Sequence, residues 1–211
     1  APLRGEASLV LQRYRYPVIP MEMMGTASLG KNITMAVDLK GQETGYRRWR
    51  RIFESSKGNH EKAGSKELLL ETDLNPDNTG RLRFVYDGLV IEEPMEARDG
   101  RAYHLAVTWD DGIIKIYVDG EKIAEAEHEE GGDFLLSAGN LEFASLLPAF
   151  EPRGTSEPFL GKADDIMVIN RALSDEEIAN LFQDGAESVV DADVDEGVLW
   201  TFEGDDEIAT D

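Results

Sequence analysis

Six consecutive residues, Tyr46-Arg47-Arg48-Trp49-Arg50-Arg51, hold the densest potential chemistry in this chain. Four guanidinium forks flank one indole in a protein whose acids otherwise far outnumber its bases. Such forks grip carboxylate or sulfate bidentately, and an aromatic ring stacks on the apolar face of a sugar. In an extended conformation Arg47, Trp49 and Arg51 share one side, and Tyr46, Arg48 and Arg50 the other. These six residues are the candidate ligand-binding site, suited to an acidic polysaccharide such as a uronan. The plainer alternative pairs the arginines with the acidic surface and packs Trp49 into the core.

Catalytic chemistry is harder to find. His60, His104 and His128 are the only histidines, and none stands in a zinc spacing or near a nucleophile motif. His104 alternates with core residues and is expected to be structural or face-exposed. Glycoside hydrolysis needs two carboxylates placed as acid and nucleophile or base. Glu71-Thr72-Asp73 comes nearest, but Asn75-Pro76-Asp77-Asn78 follows at once and has turn chemistry. Glu125 and Glu127 also alternate, then run into His128-Glu129-Glu130-Gly131-Gly132, a solvated loop. No catalytic residue is assigned, and no enzyme is expected. Asp191-Ala192-Asp193-Val194-Asp195 opens with the rhythm of a calcium loop. However, Glu196 replaces the required glycine, and Phe202 stands where the bidentate glutamate belongs. The segment fits an edge strand better, with Val190, Ala192 and Val194 inward.

The elements that must carry these residues are mostly strands. Tyr103 to Ile123, YHLAVTWDDGIIKIYVDGEKI, predicts three strands joined by tight turns at Asp110-Asp111-Gly112 and Asp119-Gly120. Tyr103, Leu105, Val107 and Trp109 share one face of the first strand; Ile114, Ile116 and Val118 share one face of the second. A meander this apolar on one face needs a second sheet over it. Further on, Ala163 to Asn170 predicts a strand with Ile166 and Val168 on one face. A short helix over Asp175 to Phe182 follows, with Ser174 as N-cap, Glu177 completing a capping box, and Leu173 and Ile178 as the staple. Ile178, Leu181 and Phe182 form its buried stripe, and Gly185 is expected to close it in the left-handed region. Late in a β-rich chain, such a helix is a plug or lid on a sandwich.

These two segments together resemble the concanavalin A-like, laminin-G-like jelly-roll domains. The shared patterns are the W-H-hydrophobic-T-x-D-G hairpin and the later F-x-G-x-hydrophobic-D-D-hydrophobic … L-S-x-x-E-I run, here FLGKADDIMVINRALSDEEIANLF. The second pattern is similar to the pentraxins as well, whose apolar strand after the helix Gly197 to Phe202 would supply. Tyr103 stands where the family has Trp, a harmless exchange for a core aromatic. The resemblance implies an all-β, two-sheet antiparallel jelly-roll β-sandwich with one short helix near the C-terminus. It also admits calcium as a cofactor. Glu203 and Asp211 are the metal candidates it implies, because the tail is similar to the opening strand of many laminin-G-like domains, where an aspartate contributes to a metal site. Glu151 and Glu157 lie in the loop before the last sandwich strand, but without the clustered acids and amides of the pentraxin site.

Composition fits this class. At 211 residues the chain suits a single domain over 1–211, with 1–24 an N-terminal extension or first strand and 198–211 a closing strand. The tail's other reading, the start of a second domain, is kept beside closure. Acids outnumber bases 43 to 21, giving a formal charge of −22, so nucleic acid and anionic membranes are repelled. No apolar run reaches the roughly 18 residues of a membrane span. The absence of cysteine excludes disulfides and thiolate metal sites. Ala1-Pro2-Leu3 is compatible with a processed mature end. The expectation is a non-catalytic carbohydrate-binding accessory module of an exported, surface or periplasmic protein. It would bind an extracellular polysaccharide weakly, an anionic one by preference. An adhesion or spacer module that recognises protein is the alternative, and a glycan-active enzyme of the same fold the second alternative.

Overall fold

The computed structural model describes residues 9–11, 18–20, 28–41, 49–55, 61–74, 79–96, 101–136, 140–143, 156–159, 161–189 and 197–200. Their strands form two sheets. The first runs β1 (Leu9–Leu11), β13 (Gly161–Ile169), β3 (Asn32–Gly41), β8 (Ala102–Asp110), β9 (Ile113–Val118), β10 (Glu121–Glu127), with β14 (Gly197–Trp200) also on β13. The second runs β2 (Val18–Pro20), β11 (Asn140–Phe143), β4 (Trp49–Ser55), β5 (Leu68–Leu74), β6 (Thr79–Tyr86), β7 (Leu89–Glu96). Its last member, β12 (Ser156–Pro158), is parallel to β4; the other pairings in both sheets are antiparallel. The expected two-sheet sandwich with one helix is thus the observed architecture.

Apolar alternation explains why the sheets face each other. Tyr103, Leu105, Val107, Trp109, Ile114 and Ile116 of the first sheet meet Leu68, Leu70, Leu82, Phe84 and Tyr86 of the second in one continuous core. Val118, expected to be buried, is only partly so, because it ends β9 beside the turn. Both meander turns take the positive φ that Asp and Gly tolerate: 46° and 104° at Asp111 and Gly112, 52° and 79° at Asp119 and Gly120. Near the N-terminus, β1 lies against β13 in the first sheet and β2 against β11 in the second. At the other end β14 pairs with β13 in the register Ile166↔Trp200 to Ile169↔Gly197.

The helix α1 (Asp175–Asp184) starts as its local signals require. Ser174 Oγ accepts from the Glu177 N–H, and the Glu177 carboxylate accepts from the Ser174 N–H. Ile178, Leu181 and Leu173 pack on the outer surface of the first sheet, against Ala36, Ala106, Tyr117, Met167 and Ile169. Alanines on adjacent strands let the helix approach closely. Two details differ from expectation. Gly185 has φ 89° and ψ 180°, a glycine-only conformation outside the left-handed helical region, because a 3-10 turn over Ala186–Ser188 continues the chain. Phe182 is half-buried, since it sits at the helix margin above Gly120, where an added Cβ would come within 3.1 Å of its ring. Among the described residues no helix is long and apolar enough to cross a membrane.

Candidate functional site

With α1 on the first sheet, no described helix lies over the outer surface of the second. Strict pairing across β4, β5, β6 and β7 builds two rows on it. Trp49 is opposite Asp73, Asp73 opposite Arg81, and Arg81 opposite Pro94. One step along, Arg51, Glu71, Arg83 and Glu92 line up in the same way. Period two sends the residues between them, Thr72 and Leu82, to the core side.

The rows form a charge ladder around a ring. The Arg81 guanidinium carbon lies 4.8 Å from the centre of the Trp49 ring and that of Arg83 5.7 Å away, both within cation–π range. Arg81 Nη2 donates to Asp73 Oδ2 at 3.1 Å, and its Nη1 to Glu92. Arg83 donates to Glu71 Oε1 at 3.1 Å and to Glu61. Arg51 pairs with Glu54. Three guanidinium groups therefore meet five carboxylates. Asp73 Oδ1 is buried and has no hydrogen-bond partner among the described residues. Towards Leu69 and Val85 the face is closed, and both residues are buried. Around Trp49 and Arg81 it is open: the ring is half-buried, and 49% of the Arg81 side chain is exposed.

This geometry redistributes the residues singled out in the sequence. Trp49 and Arg51 do share a face, and Arg50 is on the opposite one, level with Thr72 and Leu82. Arg50 and Arg51 are both buried, so neither presents a free fork to solvent. Tyr46, Arg47 and Arg48 lie outside the described residues, as do Glu203, Asp211, Glu151, His60 and Asp191 to Asp195. Glu71 and Asp73, the nearest approach to a catalytic carboxylate pair, stand beside Trp49. Each is engaged by a guanidinium, Asp73 by Arg81 and Glu71 by Arg83. Sequence reasoning passed over Arg81, Arg83 and Glu92. The signal was there: Arg81-Leu82-Arg83 is the cationic counterpart, across one hairpin, of Glu71-Thr72-Asp73.

A second buried polar group sits at the β6–β7 turn. Asp87 accepts from the Lys66 backbone N–H at 2.9 Å and from Lys66 Nζ at 2.6 Å, and His128 Nε2 lies 3.4 Å from the same carboxylate. Burial alone would push the Asp87 carboxyl up, but the two Lys66 donors, with Lys66 and His128 charge, hold it below its ordinary value. Beside it, burial pushes the Tyr86 hydroxyl up to about 12. The Tyr86 oxygen accepts from the Leu135 N–H at 2.9 Å and donates to the Leu135 carbonyl at 3.1 Å, joining the turn to the loop after β10. The role is structural. His104, likewise buried, stacks obliquely on Phe182. Among the described residues no group of three or more His, Asp or Glu is arranged to hold a metal ion.

Comparison with known proteins places this geometry. Residues 23–179 match the family model described as the concanavalin A-like lectin/glucanases superfamily. The chain belongs to that superfamily. No curated protein sequence matches it. Among solved structures, it is similar to the sialidase CBM40 module of Ruminococcus gnavus bound to α2,3-sialyllactose, with a TM-score of 0.61 and 15% identity over 84% of this chain and 97% of that one. Domain 4 of a GH43 extracellular arabinanase from Geobacillus stearothermophilus, in complex with arabinotriose, gives a TM-score of 0.55 and 17% identity over 83% and 76%. The heptameric SAP-like pentraxin of Limulus polyphemus gives 0.57 and 15% over 85% and 79%. At such identities these likenesses speak to the fold.

Proposed function

We propose that this chain is a single-domain, non-catalytic carbohydrate-binding module of an exported or surface protein, holding extracellular polysaccharide weakly on the outer face of its second sheet. The observation that carries the reading is Trp49, a half-buried indole on the open part of that face, ringed by hydrogen-bonding side chains. A planar ring flanked by fixed polar groups is the arrangement that recognises a sugar's apolar face and its hydroxyl rim. Modules of the same fold hold sialyllactose and arabinotriose in their solved complexes, which supports a glycan as the ligand. The guanidinium partners of Glu71 and Asp73 support the non-catalytic part.

A glycan-array screen of the purified chain tests this, run with calcium and with a chelator because Glu203 and Asp211 are the carboxylates proposed for a metal. Binding in the micromolar to millimolar range is expected, about 4–8 kcal/mol, without release of reducing ends. Reducing-end release would make the protein an enzyme. A folded protein that binds no glycan would make it an adhesion or spacer module.

A further inference from the structure

We propose that the ring of Trp49 is a sugar-stacking platform that Arg81 occupies in the unliganded protein, and that the glycan displacing Arg81 is electrically neutral. The proposal rests on the carbohydrate-binding reading above and specifies its ligand class.

Arg81 and Arg83 both stand over the ring but are held very differently. Arg83 is 17% exposed and bonds Glu71 and Glu61, with Glu92 3.9 Å from its Nε. Arg81 is 49% exposed; of its carboxylate partners, Glu92 lies on the solvent-facing rim at 35% exposed, while Asp73 is only 12% exposed beneath it. Exposed ion pairs and exposed cation–π contacts are the weak kind, readily exchanged for another ligand of the same shape. A guanidinium plane and a pyranose C–H face make the same demand on an indole: a flat, electron-poor surface against the ring.

Displacing Arg81 would uncover a matched set of acceptors. Asp73 Oδ2 and Glu92 Oε1 would lose their donor. Asp73 Oδ1 already lacks a partner among the described residues, although it is buried directly opposite Trp49 in the β4–β5 register. A buried carboxylate oxygen without a donor is costly, and a sugar hydroxyl supplies one. Two carboxylates beside a ring thus accept from the hydroxyl rim of a stacked sugar. With Arg81 swung away the same carboxylates repel a uronate or sialate, and the chain's charge of −22 adds to that repulsion. This reverses the preference for an acidic glycan expected from the arginine cluster.

Calorimetric titration of the wild type, Arg81→Ala, Trp49→Ala and Trp49→Phe tests the proposal. The probes are neutral oligosaccharides (arabino-, xylo-, gluco- and galacto-series) and uronate-containing or sialylated ones. Arg81→Ala should tighten neutral-glycan binding by about two- to ten-fold, since it removes the competing occupant of the ring. Trp49→Ala should abolish it, and Trp49→Phe, which keeps a ring, should retain part of it in a protein with an unchanged melting curve. Weaker neutral-glycan binding by Arg81→Ala, or binding of acidic glycans alone, would overturn this proposal while leaving the carbohydrate reading intact. No binding by wild type or Arg81→Ala would remove both.

Discussion

Asp87 is a buried carboxylate whose charge depends on its neighbours. Burial opposes that charge, and the Lys66 amide, the Lys66 ammonium and His128 outweigh it, so its pKa is depressed in the folded chain. A depressed carboxylate pKa adds stability that is fully present above the unfolded-state value, near 3.8, and is lost as pH falls through the folded value. Asp87→Asn should therefore lower stability at pH 7 by about 1–3 kcal/mol, the range for a lost charge-assisted hydrogen bond. The gap between wild type and variant should close below about pH 4. Urea midpoints measured from pH 7 to pH 3 check this, and a gap that stays constant across the range would remove the carboxylate's assigned role. Glu177 behaves in the same direction: burial raises it, and the Ser174 amide and Arg171 bring it lower. Core residues follow simpler rules. Ile116 is buried, and Ile116→Ala should cost about 2–5 kcal/mol by the loss of packed volume, read from the denaturation midpoint.

The helix and the second sheet differ in how far sequence alone defines them. For α1 every determinant is local: Ser174 and Glu177 three residues apart, Leu173 and Ile178 flanking them, Gly185 at the end. The capping box could be read directly and is present in the fold. Ser174→Ala should lower stability by about 0.5–2 kcal/mol, the usual value of a capping hydroxyl. An unmoved chemical-denaturation midpoint would show that the cap contributes nothing. Asp175 adds a second anchor, accepting from Tyr117 Oη at 2.8 Å and Lys115 Nζ at 3.0 Å, so helix start and sheet are tied together. The hairpin faces around Trp109 were equally legible, because alternation and Asp-Gly turns lie within a few residues. The ladder around Trp49 was not. Asp73 and Arg81 face each other across one short hairpin. Trp49 joins them only through the β4–β5 pairing, far apart in sequence and shifted by a bulge between Arg51 and Phe53, and that register is not encoded within one short window. Seen locally, the arginine cluster appeared as an exposed cationic patch. Cross-strand register instead buries Arg50 and Arg51 and brings in Arg81 and Arg83 from elsewhere.

Across the whole molecule, charge is the dominant long-range term. A formal charge of −22 on 211 residues favours expansion, and salt screens that self-repulsion. The melting temperature should rise between low and about 0.5 M sodium chloride, as followed by calorimetry. A fall would mean that ion pairs such as those of Arg81 and Arg83 outweigh the net repulsion. The sandwich places its helix on one outer surface and leaves Trp49 on the other, so binding should be confined to the second sheet. Nitrogen-edited magnetic resonance of the tryptophan indole N–H groups during an oligosaccharide titration reads this directly, with the Trp49 peak assigned through Trp49→Phe. The Trp49 signal should shift saturably. That of Trp109, buried and donating to the Gly132 carbonyl at 2.9 Å, should stay still. Saturable glycan binding with an unmoved Trp49 indole would contradict the assignment of the site.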